Sequence, residues 1–177
     1  MTDSQLKEHI RIVPDYPVKG IMFFDVTTLF KDAECFDEVV KRITDAYKGK
    51  GITKVAGIES RGFITGAAVA ARLGAGFVPI RKPGKLPARV VSEKYTKEYG
   101  TDSIEIHDDA IGPDDVVLIH DDILATGGTA SAAVRLVKGF HPKAVYCNFI
   151  INITDCPRTS PIPEDVETVS ILNMAEN

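Results

Sequence analysis

The sequence is poor in cysteine: Cys35, Cys147 and Cys156 are the only three in 177 residues. Their number is odd, no CxxC pair is present and no spacing suits zinc. That excludes a disulfide framework and leaves reduced thiols as the expectation. Long apolar runs are absent too; none approaches the roughly 20 residues of a membrane span. The N-terminus, MTDSQLKEHIRIV, is charged and lacks an apolar core of signal-peptide length. A cytoplasmic protein without membrane association is expected, and the sequon Asn152-Ile153-Thr154 is discounted for want of any other sign of secretion. Positive charge is not in excess: 21 Lys and Arg stand against 25 Asp and Glu. A nucleic-acid partner, whose footprint would be basic, is disfavoured.

Hydrophobic residues make up 44% and charged residues 26%, which suits one domain with a full core over residues 1–177. No internal repeat or low-complexity tract interrupts it. A short helix is expected over 4–10, and PDYPVKG reads as a loop by its prolines and glycine. IMFFDVTTLF is apolar and β-prone. Asp32 reads as a helix N-cap; Phe36, Val39, Val40, Ile43 and Tyr47 keep helical spacing until Gly49 and Gly51 stop it. Short buried strands over 55–58, 77–80, 116–119, 144–151 and 169–172 alternate with helices over 62–73 and 129–138. Two further β-prone pieces, RVVS and SIEIH, are joined by EKYTKEYGTD. This alternation predicts an α/β fold with a mainly parallel sheet flanked by helices. Ligands of such sheets bind beyond the carboxyl ends of the strands, where ESRG, RKPGK and HDDILATGGT fall.

HDDILATGGTA, residues 120–130, joins two acids to a pair of glycines flanked by threonines. VVLI before it is expected to be the strand, with the chain leaving the sheet near His120. The ATGGT loop then opens a helix, whose free N–H groups and positive dipole end form an anion cup. Glycines let backbone come close to a ligand, and Thr126 and Thr129 add hydroxyls. No lysine follows the glycines, so this is not a Walker A loop. Carboxylates repel phosphate but accept hydrogen bonds from a vicinal diol. A ribose 5-phosphate satisfies both halves of the stretch: Asp121 and Asp122 take hydroxyls, the loop takes phosphate. Single motifs mislead, and the bland reading is a surface loop with a solvated acid pair. A metal-hydrolase reading of His120-Asp121 with His107-Asp108 is weaker, because no further histidine completes a ligand set.

A second anion cluster lies in GIESRGF and RKPGKLP. Ser60, Arg61, Arg81, Lys82 and Lys85 together favour a polyanion such as pyrophosphate over isolated surface cations. A Mg²⁺ ion, held by ligand oxygens and water rather than directly by side chains, would neutralise it further.

HDDILATGGTA resembles the phosphoribosyl-pyrophosphate motif of the type I phosphoribosyltransferase family. PDYPVKGIMFFDVTTL, GIESRGF, IRKPGKLP and KEYGTDSIEIH, in that order, resemble the family's adenine-using members, with matches over residues 11–135. The resemblance implies conversion of adenine and phosphoribosyl pyrophosphate to AMP and diphosphate, in purine salvage. It implies Mg²⁺ and a homodimer, with the loop near Arg81 reaching toward the partner's site. It assigns the 5-phosphate to Ala125, Thr126, Gly127, Gly128 and Thr129, and diphosphate to Ser60 and Arg61. Glu98 is implied as the acid/base residue with Tyr99 beside it; on the residues alone Glu93 is equally open. Residues 88–107 are implied to be a mobile β loop that closes over the site, and residues 1–30 to contribute to the base pocket. There Phe23 would stack on the purine, Met22 would offer backbone contacts and Ile153 would cover the other face; without the resemblance each reads as core. Two positions depart from the family pattern: Phe24 stands where arginine is common, and His120 replaces an apolar residue. His120 is expected to be a satisfied buried histidine. The rival readings are a phosphoribosyltransferase for another purine and a non-enzymatic phosphoribosyl-pyrophosphate sensor, which would need a DNA-binding module that the N-terminal segment is too short and not basic enough to supply.

Overall fold

The computed structural model describes residues 1–97 and 100–176. Helix α1 (Asp3–Glu8) is closed by a capping box between Thr2 and Gln5. Strands β1 (Arg11–Pro14) and β2 (Met22–Asp25) pair antiparallel, Val13 opposite Phe23. The apolar stretch after Gly20 is therefore only half strand: the Asp25 carboxylate accepts from the Thr27 N–H (3.0 Å) and hydroxyl (2.6 Å). That local turn starts the short helix α2 (Thr27–Phe30).

Helix α3 (Ala33–Tyr47) begins where Asp32 accepts from the Cys35 N–H at 2.9 Å. Val39, Val40, Ile43 and Tyr47 form its buried face, as the spacing predicts. Then follow β3 (Lys54–Ile58), α4 (Arg61–Leu73), β4 (Gly76–Ile80), the hairpin β5 (Val90–Thr96) and β6 (Thr101–His107), β7 (Val116–Leu124), α5 (Gly128–Lys138), β8 (Ala144–Ile153) and β9 (Thr168–Met174). The central sheet is parallel in the order β4-β3-β7-β8-β9. Its strands are near-continuous apolar runs because helices cover both faces. Among the described residues no helix is long and apolar enough to cross a membrane.

Two boundaries differ from the sequence expectation. The hairpin strands absorb most of EKYTKEYGTD, since pairing continues from Val90 opposite His107 to Thr96 opposite Thr101. Strand β7 does not leave the sheet near His120. Its pairing with β3 ends at Gly57 opposite His120, but β8 continues beside it, with Asp121 opposite Phe149 and Leu124 opposite Asn152. The acid pair thus rides on a strand.

Candidate active site

The carboxyl end of β7 holds the acid pair against α4. A Cβ on Gly62 would lie 2.8 Å from the His120 carbonyl oxygen and 3.3 Å from the Asp121 Cα. Only glycine lets the first turn of α4 come this close, and the approach brings Arg61 to Asp122. The Arg61 Nε donates to Asp122 Oδ2, Asp122 being almost fully buried and Arg61 partly exposed. The guanidinium also lies over the Phe23 ring, 5.5 Å from its centroid. Burial works against the Arg61 charge, but Asp122, then Asp121 and Asp25, raise its proton affinity overall. Asp121 is shifted the opposite way for an acid: its burial, and then the charge of Asp122, push it well above the usual carboxylate range. Arg61 sets a positive charge directly against this pair of acids.

Beyond the acids the chain turns into α5. Gly127 caps the helix with φ +87° and no side-chain bond, so the first-turn N–H groups point outward. They face a cavity of about 100 Å³ lined by Asp121, Ile123, residues 124–130 and Phe149. The helix macrodipole favours an anion there. The loop is braced by Ser160, whose N–H donates to the Thr126 carbonyl at 3.2 Å. A Cβ on Gly127 would come within 2.3 Å of the Ser160 oxygen. This contact carried no signal in the sequence.

Phe23 is half-buried on β2, with Tyr16 edge-on at 5.2 Å. Ile153 belongs to the buried part of a large apolar cluster, with Met22 and Ala125 packed against it. Phe24 points into that core and is 2% exposed, so the departure from the family pattern is absorbed as packing. His120 is wholly buried. Asn148 Nδ2 donates to the Val169 carbonyl at 3.0 Å, leaving Oδ1 to accept from His120 Nδ1 at 3.1 Å. Nε2 then accepts from the Thr65 hydroxyl at 2.6 Å. The ring is neutral and satisfied; burial brings its pKa down to about 4.

The basic residues do not all converge here. Ser60 is exposed at the start of α4. Glu59 Oε2 accepts from Arg81 Nε (3.2 Å) and the Lys82 N–H (2.9 Å), pinning the basic loop beside it. The Lys82 ammonium turns toward the hairpin, 2.5 Å from Asp102 and 3.0 Å from the Tyr95 hydroxyl. Lys82 and then Lys97 hold Asp102 far below the usual carboxylate range. Lys85 is exposed. Glu98 and Tyr99 lie outside the described residues. Sequence reading missed Glu59, Asp102 and Ser160, because long-range partners leave no local pattern.

A wider cavity, about 800 Å³, lies against Lys138, residues 141–146 and residues 165–167. Of the charged residues lining it, Lys138 pairs with Asp165 and Glu167 with Lys50, and Lys143 lines it as well. Among the described residues His9, Asp32 and Cys35 bring possible metal-ligand atoms within 4.8 Å of one another. Asp32 there already caps α3, and burial pushes the Cys35 thiol up to about 11, so no ready thiolate is present.

Residues 33–164 match the family model of the phosphoribosyl transferase domain. The chain is 57% identical over 174 residues to the adenine phosphoribosyltransferase of Bacteroides thetaiotaomicron, covering 98% of this chain and 99% of that one. The crystal structure of the Rhodothermus marinus adenine phosphoribosyltransferase superposes with a TM-score of 0.92 at 46% identity, over 97% of this chain and 98% of the other. The enzyme of Giardia lamblia, solved in complex with 9-deazaadenine, gives 0.92 at 39% identity, over 98% of both chains.

Proposed function

The chain belongs to the phosphoribosyltransferase family, among its adenine phosphoribosyltransferases, and from that premise we propose that this site joins adenine to 5-phospho-α-D-ribose 1-diphosphate, giving AMP and diphosphate. It is a pentosyltransferase of purine salvage. One observation carries the reading of the site: anion cavity, acid pair, cation and aromatic ring form a continuous series. Asp121 lines the cavity, Asp122 holds Arg61, and Arg61 lies over Phe23. A bound phosphoribosyl group with a leaving diphosphate and an incoming base presents matching groups in a matching sequence.

In this reading residues 125–129 bind the 5-phosphate, and Asp121 and Asp122 accept from the ribose hydroxyls. Ser60 and Arg61 meet the diphosphate, with Arg81, Lys82 and Lys85 supplying further positive charge. Lys82 must then leave Asp102, which suits a hairpin (residues 88–107) that moves over the site and excludes water. Departure of diphosphate leaves an oxocarbenium-like sugar, and cations aimed at the leaving oxygens stabilise that separation of charge. Glu98 takes the proton from the purine N9, with Tyr99 beside it. Phe23 stacks on adenine, Met22 offers backbone contacts and Ile153 closes the other face, so that residues 1–30 help to build the pocket. Mg²⁺, when bound, lowers the charge of the diphosphate. Asp122 is occupied by Arg61 and the Asp121 Oδ1 accepts from the Asp122 N–H, so the ion fits best on substrate oxygens and water. A homodimer in the cytoplasm completes the proposal.

Purified protein incubated with Mg²⁺, adenine and phosphoribosyl pyrophosphate tests it. Equal yields of AMP and diphosphate are expected. Diphosphate without AMP would make the protein a hydrolase, and tight binding without any turnover would favour a sensor.

A further inference from the structure

Arg158 has no part in the chemistry proposed above, yet its guanidinium is held in an unusual setting. Nη2 donates to Asn152 Oδ1 and, at 3.0 Å, to the Ile153 carbonyl. Asn152 is itself oriented, its Nδ2 donating to Asn173 Oδ1 at 2.9 Å on β9. Nη1 is buried and, among the described residues, has no hydrogen-bond partner. Both partners of Nη2 are neutral oxygens. A cation is costly to bury without an anion, and an unmade bond adds to that cost. A surface arginine with solvent beside it has no reason to be kept so.

What the arrangement accomplishes is mechanical. Two residues further on, Ser160 braces the cavity-lining loop through its bond to Thr126 and its contact with Gly127. Five residues back, Ile153 ends β8. Arg158 ties the segment between them back onto the strand. We propose that Arg158 is a positioning residue, and that it fixes the purine wall at Ile153 and the phosphate cup at Thr126–Gly127 at one separation. The inference rests on the functional reading, which puts the base against Ile153 and the phosphate in the cup.

AMP must satisfy both subsites at once, whereas adenine and ribose 5-phosphate each need one. Two subsites held rigidly at the right separation act as linked sites, and a loose connection lowers their effective concentration for each other. Arg158→Met keeps the bulk of the stem and removes the donors. Calorimetric titration of the full chain with adenine, with ribose 5-phosphate and with AMP reads the effect. We expect AMP to bind at least about tenfold more weakly, with adenine and ribose 5-phosphate each within about twofold of wild type. Arg158→Lys, which keeps one donor for the Ile153 carbonyl, should lose about threefold for AMP; it carries the comparison if Arg158→Met does not fold. Equal weakening of AMP and ribose 5-phosphate would reduce Arg158 to general scaffolding, and AMP affinity within about twofold of wild type would overturn the inference outright. Wild-type protein that takes ribose 5-phosphate but not AMP would instead overturn the base-pocket reading beneath it.

Discussion

The carbonyl oxygen of His120 and the α carbon of Gly62 approach so closely that no side chain fits between α4 and β7. The contact sets where Arg61 and the acid pair stand relative to each other. Gly62→Ala would place its methyl 2.8 Å from that oxygen and 3.3 Å from the Asp121 Cα. Both are backbone atoms with no rotamer to yield. We expect a loss of about 1–3 kcal/mol in stability and a larger proportional loss in kcat/KM, since Arg61 shifts with the helix. Unfolding midpoints and steady-state rates check this. A variant with wild-type kcat/KM would show that the approach is packing alone.

Asp122→Asn removes the carboxylate that holds Arg61 and, in the proposed function, a ribose hydroxyl. Phosphoribosyl pyrophosphate should bind about tenfold or more weakly, equivalent to about 1.5–3 kcal/mol for a charged hydrogen bond. Unchanged affinity by calorimetry would contradict the assignment of this acid to the diol.

Glu98→Ala should remove most turnover and leave phosphoribosyl-pyrophosphate binding in place, because a base for N9 acts only as the bond forms. Single-turnover measurements separate the two steps. Weak binding with intact chemistry would move the acid/base role elsewhere, with Glu93 the next residue to test.

His120 gives a pH dependence of stability. Its folded pKa of about 4 lies below the ordinary 6.5, so as pH falls the unfolded chain takes up the proton first. Its contribution is whole above about pH 6.5, declines as pH falls, and amounts to about 3 kcal/mol lost by pH 4. Denaturant melts across that window should show the slope, and His120→Asn, which has no titrating ring, should show less of it. Equal slopes in both proteins would remove His120 as the cause.

Much of this was legible in the sequence wherever a local rule decides. Asp32 caps α3 because an N-cap needs only a short side chain and the N–H groups after it. The ATGGT loop opens α5, with no side-chain cap on its first N–H groups, for the same local reason. What was not legible depends on neighbours far along the chain. Strand β7 continues through Asp121 and Asp122 because β8 runs beside it, and two acids in a row give no hint of that. Lys82 faces Asp102, 20 residues away, though its own loop reads as one more phosphate binder. Phe24 reads as a missing polar contact and proves to be core. Arg158 and Ser160, in a stretch of prolines and hydroxyls, carry no motif at all.

The central claim is that Phe23, Met22 and Ile153 form a pocket for adenine beside a phosphoribosyl site. A panel of bases tests it most directly: adenine, hypoxanthine, guanine, xanthine and orotate, each with Mg²⁺ and phosphoribosyl pyrophosphate, with mononucleotide formation followed. The account predicts AMP from adenine and no comparable product from the others. Preferential formation of another mononucleotide would keep the fold and the phosphate chemistry but contradict the pocket.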